Sequence, residues 1–174
     1  MASSLPAQEE AAGTYLESIP YLPALIKARL VSGYSEGETA RVWNDILHNV
    51  FPGRDNYSTG IEALPEGTCE GLSLAYSVID VGSHEKKFLV IVCKSPGQEA
   101  TPSIWQEGAA QLEAHLSPVL GHHETYGAIA VGGCVRLYRW GNSALWDLSA
   151  GEMLYLDRQC QTVMRYLVYF REHH

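Results

Sequence analysis

Residues 72–94 read LSLAYSVIDVGSHEKKFLVIVCK, and this stretch decides the fold. Apolar and β-branched residues fill two runs, Leu72 to Val81 and Phe88 to Lys94, with a polar turn between them near His84. Such runs, bounded by turn residues, predict two antiparallel strands joined as a hairpin. The second run is apolar throughout until its final lysine, as expected for a strand that is covered on both faces of a sheet.

Helices and further strands are predicted on both sides of this hairpin. Ser35, followed three residues later by Glu38, has the form of a capping box that opens a helix. Apolar residues at helical spacing predict helices over 35–51, 105–119 and from Asp157 onward. Strands are predicted at 57–64, 126–131, 135–140, 145–148 and 153–156. This order predicts an α/β (α+β) domain over 14–174, with a central mixed sheet flanked by helices, after a disordered lead over 1–13.

Composition restricts the classes of partner and compartment. Apolar residues make up 46% of the chain and charged residues 18%, as in globular proteins. The net charge of −8 disfavours a nucleic-acid partner, although it does not exclude a local basic groove. The cysteines lack metal-ligand spacing, and the sequence shows neither a basic-then-apolar leader nor an apolar run long enough to span a membrane. These features predict an intracellular protein, cytoplasmic or nuclear, without a membrane partner.

The strand that ends in Val92-Cys93-Lys94 and the helix after it resemble the core of the PD-(D/E)XK nuclease superfamily. In that superfamily one strand carries an Asp, the next ends in Glu/Asp-x-Lys, and a following helix often carries a Gln. The later runs GAIAV (127–131) and RLYRW (136–140) are similar to strands of a group of fungal members. The resemblance implies a restriction-endonuclease-like core with a metal-dependent phosphodiesterase site.

The resemblance assigns the family's lysine to Lys94 and its helix glutamine to Gln111, with Gln106 a weaker match. It places the two metal-binding acids at Ala75 and Val92, neither of which is acidic. A turn centred at His84 sets Val92 opposite Tyr76 and Lys94 opposite Leu74. Asp80 is no substitute for the missing acid. At about 3.3 Å per strand residue, it is expected to lie roughly 15–20 Å from the lysine.

Other acids offer an alternative metal site. Glu70 precedes the first strand of the hairpin, and Glu38 lies where many superfamily members contribute an acid from their first helix. Glu99 and Glu107 follow the lysine in sequence. Each also has an ordinary interpretation as a solvated surface acid, or as a helix cap for Glu38. A zinc site at His115, His122 and His123 is disfavoured, because this polar segment is typical of a surface turn.

Three functional hypotheses follow. The first is a nuclease-like domain that has lost its metal-binding acids, has no cofactor and acts as a non-cleaving interaction module with a protein partner. The alternative is an active Mg²⁺- or Mn²⁺-dependent nuclease in which Glu70 or Glu38 works with Lys94. It predicts two carboxylates within about 5 Å of the lysine, a separation suited to shared metal coordination. A third is a small-molecule-binding protein, which predicts an apolar cavity above about 300 Å³.

Overall fold

The hairpin forms the middle of a larger sheet in the computed structural model of the protein, which describes residues 4–62, 74–82, 84–119, 121 and 123–174. The helices of these residues are α1 Tyr15–Ser18, α2 Leu22–Arg29, α3 Glu36–Val50, α4 Pro102–Leu116 and α5 Cys160–His173. The strands are β1 Tyr57–Glu62, β2 Leu74–Asp80, β3 Lys86–Lys94, β4 Thr125–Val131, β5 Cys134–Gly141, β6 Ala144–Asp147 and β7 Leu154–Tyr155.

The strands form one mixed sheet in the order β1-β2-β3-β4-β5-β6, with β7 paired to β5. Only the β3–β4 pair is parallel among the described strands, and α4 provides the connection between them. A parallel pair needs such a crossover, because its two strands run in the same direction. The predicted fold class, a mixed sheet flanked by helices, is confirmed. The restriction-endonuclease-like core stays a prediction.

Helices cover both faces of the sheet. Side chains from α1, α2, α3 and α5 pack with one face in the larger apolar cluster, which includes Trp43 and Phe170. The smaller cluster on the other face is closed by α4, through Trp105, Leu112 and Leu116. β3 is therefore buried on both faces, as its apolar sequence predicted, and the side chain of Lys94 lies on the α4 side.

The register of the hairpin corrects the prediction by one residue. Val92 lies opposite Ala75 rather than Tyr76, and Asp80 lies opposite Lys86 at the turn. The pairs nearest the turn are two residues from the assumed register, since Asp80 faces Lys86 and not Phe88. A register shift between Val78 and Ile79 places an extra residue in β3 and reduces this difference to one residue at Val92. Because side chains alternate between the two faces, a one-residue shift decides which positions project together.

The ends of the elements differ from the predictions in detail. α3 begins directly after Ser35, but the Ser35 hydroxyl makes no capping hydrogen bond, so the predicted capping box does not form. The last helix begins at Cys160, three residues later than expected. Part of the predicted disordered lead contacts that helix and the segment before it. Gln8 donates to the carbonyl of Asp157, and the Glu9 carboxylate accepts from Thr162. No helix in the described parts of the chain has the length and apolar character needed to cross a bilayer.

Candidate functional site

The two positions that the resemblance assigns to acids lie directly opposite each other. Ala75 of β2 and Val92 of β3 are cross-strand partners, which project to the same face of the sheet. Both are 0% exposed and belong to the apolar cluster beneath α4. At the place expected for metal ligands, these strands therefore provide only hydrocarbon side chains, which do not fit a hard cation that needs oxygen ligands.

Lys94 ends β3 beside this pair and is held by α4. Its Nζ lies 2.8 Å from Oε1 of Glu107, and the Lys94 side chain is only 10% exposed. Gln111, one helical turn after Glu107, donates from Nε2 to the same oxygen at 3.3 Å. We call Lys94, Glu107 and Gln111 the lysine cluster. Within it, the ammonium charge is balanced by a carboxylate, and the ion pair joins the end of β3 to α4.

The first turn of α3 approaches the lysine cluster from the other face of the sheet. The Thr39 hydroxyl donates to the carbonyl oxygen of Lys94 at 2.8 Å, and the Ser95 hydroxyl donates to Oε2 of Glu36 at 3.0 Å. These bonds fix the end of β3, where the chain leaves the sheet. Glu38, in the same turn, has a buried Oε2 without a hydrogen-bond partner among the described residues. A buried unpaired carboxylate oxygen is costly, so Glu38 is an acid whose burial the described residues do not explain.

Two glycines let α4 lie close enough to form the cluster. A Cβ added at Gly108 of α4 would lie 2.6 Å from Cγ2 of Ile129 on β4. A Cβ added at Gly127 of β4 would lie 2.7 Å from Cδ2 of Leu112 on α4. The facing glycines thus set the distance between helix and sheet, and with it the reach of Glu107 and Gln111 toward the lysine.

The structure brings together some predicted residues and separates others. Gln111 is 6% exposed and belongs to the cluster, whereas Gln106 is exposed. Glu107 was considered only as an acid near the lysine in sequence, and it is the one described carboxylate that forms an ion pair with Lys94. Its spacing of four from Gln111 was the signal that could have identified it. The predicted second carboxylate is not found at the lysine among the described residues.

The remaining acids are distributed elsewhere. Glu70 lies outside the described residues. The Glu99 carboxylate lies against the β4–β5 turn, where a Cβ on Gly132 would come within contact of its Oε1. Asp80 lies at the opposite end of β2 from Ala75, so the expectation that it is remote from the lysine agrees with the register.

The histidines do not converge on a metal site within the described residues. His115 is buried on α4 with Nε2 unpaired, and burial lowers the pKa of its imidazole. His123 contacts the carbonyl of Lys87 through Nε2 at 2.9 Å, and His122 lies outside the description. The described residues contain no group of three or more His, Cys, Asp or Glu side chains placed to hold a metal ion.

Removing the partner of Lys94 is expected to be more costly than removing Lys94 itself. Glu107→Ala leaves an almost buried ammonium without its carboxylate, and we expect it to lower the free energy of unfolding by about 1–2 kcal/mol, since Glu107 itself is half exposed. Lys94→Met replaces the charge by an apolar chain of similar length and is expected to stay within about 1 kcal/mol of wild type.

Denaturant unfolding of the two single variants and the double variant measures this difference. In the Lys94→Met background, Glu107→Ala is expected to cost less than in the wild-type background, because the unpaired ammonium is gone. Equal costs of Glu107→Ala in both backgrounds would contradict the ion pair.

Asp80 has a structural role at the far end of the hairpin. Its Oδ2 lies 2.8 Å from Nε2 of His174, which also stacks on Phe88 at 4.0 Å between ring centroids. The hydrogen bond from His174, followed by that from the Gly82 N–H, lowers the pKa of the Asp80 carboxyl. Asp80 thus joins the hairpin to the end of α5, and its carboxylate lies at the opposite end of the hairpin from Lys94.

The lowered pKa of Asp80 predicts a pH-dependent contribution to stability. A carboxyl whose pKa is lower in the folded state stabilises the fold above its unfolded pKa of about 3.9, and the contribution is lost as the pH falls through the folded pKa. Asp80→Asn is therefore expected to cost about 0.5–1 kcal/mol at neutral pH, with the difference from wild type closing in acid. Thermal unfolding of both proteins across this range tests it, and a constant difference would contradict the assignment.

Three surface cavities lined by described residues lie away from the lysine cluster. The largest of these three, about 740 Å³, lies between α2 and the β4–β5 turn and is lined by Lys27, Glu99 and Cys134 among others. A second, about 430 Å³, lies between α4 and β5 around Arg136. A third of the same size lies beside α5, lined by Leu148, Thr162, Arg165, Tyr166 and Tyr169. Their volumes are in the range that small-molecule sites occupy.

Comparison with known proteins adds no relative to this picture. No protein-family model, no curated protein and no solved structure matches the chain. The superfamily therefore rests on the sequence resemblance alone.

Proposed function

We propose that this chain is a nuclease-like domain that binds a protein partner and does not cleave nucleic acid. The observation that carries the proposal is the buried Ala75–Val92 pair at the positions where the resemblance expects acids. Metal-dependent hydrolysis requires oxygen ligands that hold the ion, which generates the nucleophile and neutralises charge on the phosphate. Hydrocarbon side chains at both positions remove these ligands while preserving a packed core.

The state of Lys94 supports the same proposal. A lysine that acts on a phosphate needs its charge available to the substrate, whereas the Lys94 ammonium is paired with Glu107 beneath α4. This pair converts the remaining residue of the motif into a contact between sheet and helix. The domain thus retains the lysine and the glutamine as structural groups.

A protein partner is favoured over nucleic acid by charge and by the exposed aromatic side chains. The net charge of −8 repels a polyanion at long range. Trp146 on β6 is 52% exposed and Tyr169 on α5 is 48% exposed, and aromatic residues of this kind are enriched at the centres of protein interfaces.

One observation favours the active nuclease as the second candidate. The unpaired, buried Oε2 of Glu38 adjoins Thr39, whose hydroxyl bonds to the carbonyl of Lys94. A cation near this turn would satisfy that oxygen. The sequence alternative also names Glu70 as a ligand, and Glu70 lies outside the described residues. The described residues alone do not provide the second carboxylate.

Incubation of the protein with labelled single- and double-stranded DNA and RNA tests the proposal. With millimolar Mg²⁺ or Mn²⁺ we expect no cleavage above buffer and no increase in fluorescence anisotropy at physiological salt. Metal-dependent cleavage that is lost in Glu38→Gln and Lys94→Met, but kept in the matched control Glu113→Gln on the exposed side of α4, would establish the second candidate instead.

A further inference from the structure

The guanidinium of Arg136 lies between α4 and β5 without an acidic partner. Its Cζ lies 4.5 Å from the centroid of the Trp105 ring, and its Nε is buried without a hydrogen-bond acceptor among the described residues. No carboxylate in the described part of the chain forms an ion pair with it. A buried donor of a permanent cation is costly when it is left unpaired, so the arrangement needs a further group to explain it.

Stacking on Trp105 does not satisfy Arg136. The ring attracts the face of the guanidinium, whereas the N–H donors lie in its plane and need acceptors at the edge. The indole itself is fixed, because Nε1 of Trp105 donates to the carbonyl of Glu99 at 2.8 Å and only 4% of the residue is exposed. Trp105 therefore orients the cation. The Tyr138 hydroxyl lies within hydrogen-bonding reach of Arg136, and the terminal nitrogens of the guanidinium, rather than the buried Nε, are the donors left for a ligand.

A cavity of about 430 Å³ adjoins this group. Its apolar lining comes from Trp105, Ala109, Tyr138 and Met153, and Arg136 contributes its permanent positive charge. Burial raises the pKa of the Tyr138 hydroxyl, which therefore stays neutral. The cavity thus combines a mostly apolar wall with one oriented cation, the pattern that small-molecule sites show.

We propose that this cavity, which we call the arginine cavity, binds a small organic carboxylate with an aromatic or branched apolar body. A carboxylate accepts two parallel N–H bonds from a guanidinium, and the apolar walls take the rest of the molecule. Glu99 also lines the cavity and limits the negative charge that it accepts. That carboxylate and the net charge of −8 favour a single carboxylate over a phosphate or a polyanion. The proposal does not depend on whether the chain cleaves nucleic acid.

Phenylacetate, phenylacetamide and phenethylamine form a matched set of probes, because they share a body and differ in charge. Titrations followed by the ¹H–¹⁵N signal of the Trp105 indole, assigned with Trp105→Phe, measure affinity at the site itself. We expect phenylacetate to bind about tenfold or more tighter than phenylacetamide, since hydrogen bonds to charged groups are the stronger ones. Phenethylamine is expected to bind weakest, because it meets Arg136 with like charge.

Variants separate Arg136 from general surface charge. Arg136→Met is expected to abolish the preference for phenylacetate over phenylacetamide, and Arg136→Lys to retain part of it. Arg139→Met, at an exposed position of the same strand, is the matched control and is expected to keep the full preference. Glu99→Gln is expected to tighten phenylacetate binding, because it removes the like charge that lines the cavity, and an unchanged affinity would show that Glu99 does not limit the charge of the ligand.

Several outcomes would overturn the proposal. Equal affinity for phenylacetate and phenylacetamide would remove the role of charge, and a preference that survives in Arg136→Met would place binding elsewhere. No shift of the Trp105 signal with any probe at high millimolar concentration would also contradict it. If Arg136→Met does not fold, the comparison of the three probes on wild type and Arg136→Lys decides the question.

Discussion

Ala75→Asp combined with Val92→Glu is expected to make the protein's stability depend on a divalent cation. Without metal, the two carboxylates face each other in a fully buried position. Each unpaired buried charge costs several kcal/mol, so the two together cost about as much as the whole stability of a domain, about 5–15 kcal/mol. With saturating Mn²⁺, binding to the folded state alone is expected to recover about 2.7 kcal/mol at a metal concentration a hundredfold above its dissociation constant.

The amide pair Ala75→Asn with Val92→Gln is the matched control for size and polarity. Thermal unfolding in chelator and in Mn²⁺ is compared for both double variants. We expect metal to raise the melting temperature of the acidic variant and to leave that of the amide variant unchanged. If the acidic variant is unfolded in chelator and metal does not restore its folding, Ala75 and Val92 do not occupy the positions of metal ligands, and the resemblance is wrong at these residues.

Gly108→Ala is expected to destabilise the protein by about 1–2 kcal/mol, although glycine to alanine within a helix normally stabilises by up to about 1 kcal/mol. The added methyl would lie 2.6 Å from Cγ2 of Ile129, a β-branched side chain with little freedom at χ1. Overpacking of this kind forces the helix away from the sheet and typically costs about 1–3 kcal/mol.

Gly37→Ala in the first turn of α3 is the matched control. There the nearest atom to the added Cβ is the Ser35 hydroxyl oxygen at 3.3 Å, which is able to move, and we expect no loss or a gain of a few tenths of a kcal/mol. Denaturant unfolding of both variants measures the contrast. A Gly108→Ala protein as stable as wild type would show that the glycine does not set the helix-to-sheet distance.

Much of the fold was predictable because its signals are local. The continuous apolar run predicted β3, and apolar residues at helical spacing predicted α3, α4 and α5, each to within a few residues. These patterns are visible in the sequence because the apolar residues are the ones that each element buries. The register of the hairpin was not predictable to the residue, because both the first pair after the turn, Asp80 with Lys86, and the extra residue near Phe88 are features of the assembled ladder.

The lysine cluster was predictable only in part. The resemblance identifies Lys94 and Gln111, whereas the sequence offers Glu107 only as one of several acids near the lysine, each of which is also a candidate for a solvated surface acid. Its contact with Lys94 depends on how closely α4 packs on β4, which Gly108 and Gly127 determine from positions distant in sequence. The sequence places Arg136 only within a strand motif, since the lack of an acceptor at its Nε becomes visible only when the neighbouring elements are in place.

The most direct measurement for the proposed function is a calorimetric titration of the wild-type protein with Mn²⁺ and Mg²⁺, beside Glu38→Gln and Glu70→Gln. Because Ala75 and Val92 supply no ligands and Lys94 is paired with Glu107, we predict no specific heat of binding at millimolar metal. Saturable binding of one or two ions that is lost in Glu38→Gln or Glu70→Gln would contradict the proposal and establish a relocated metal site.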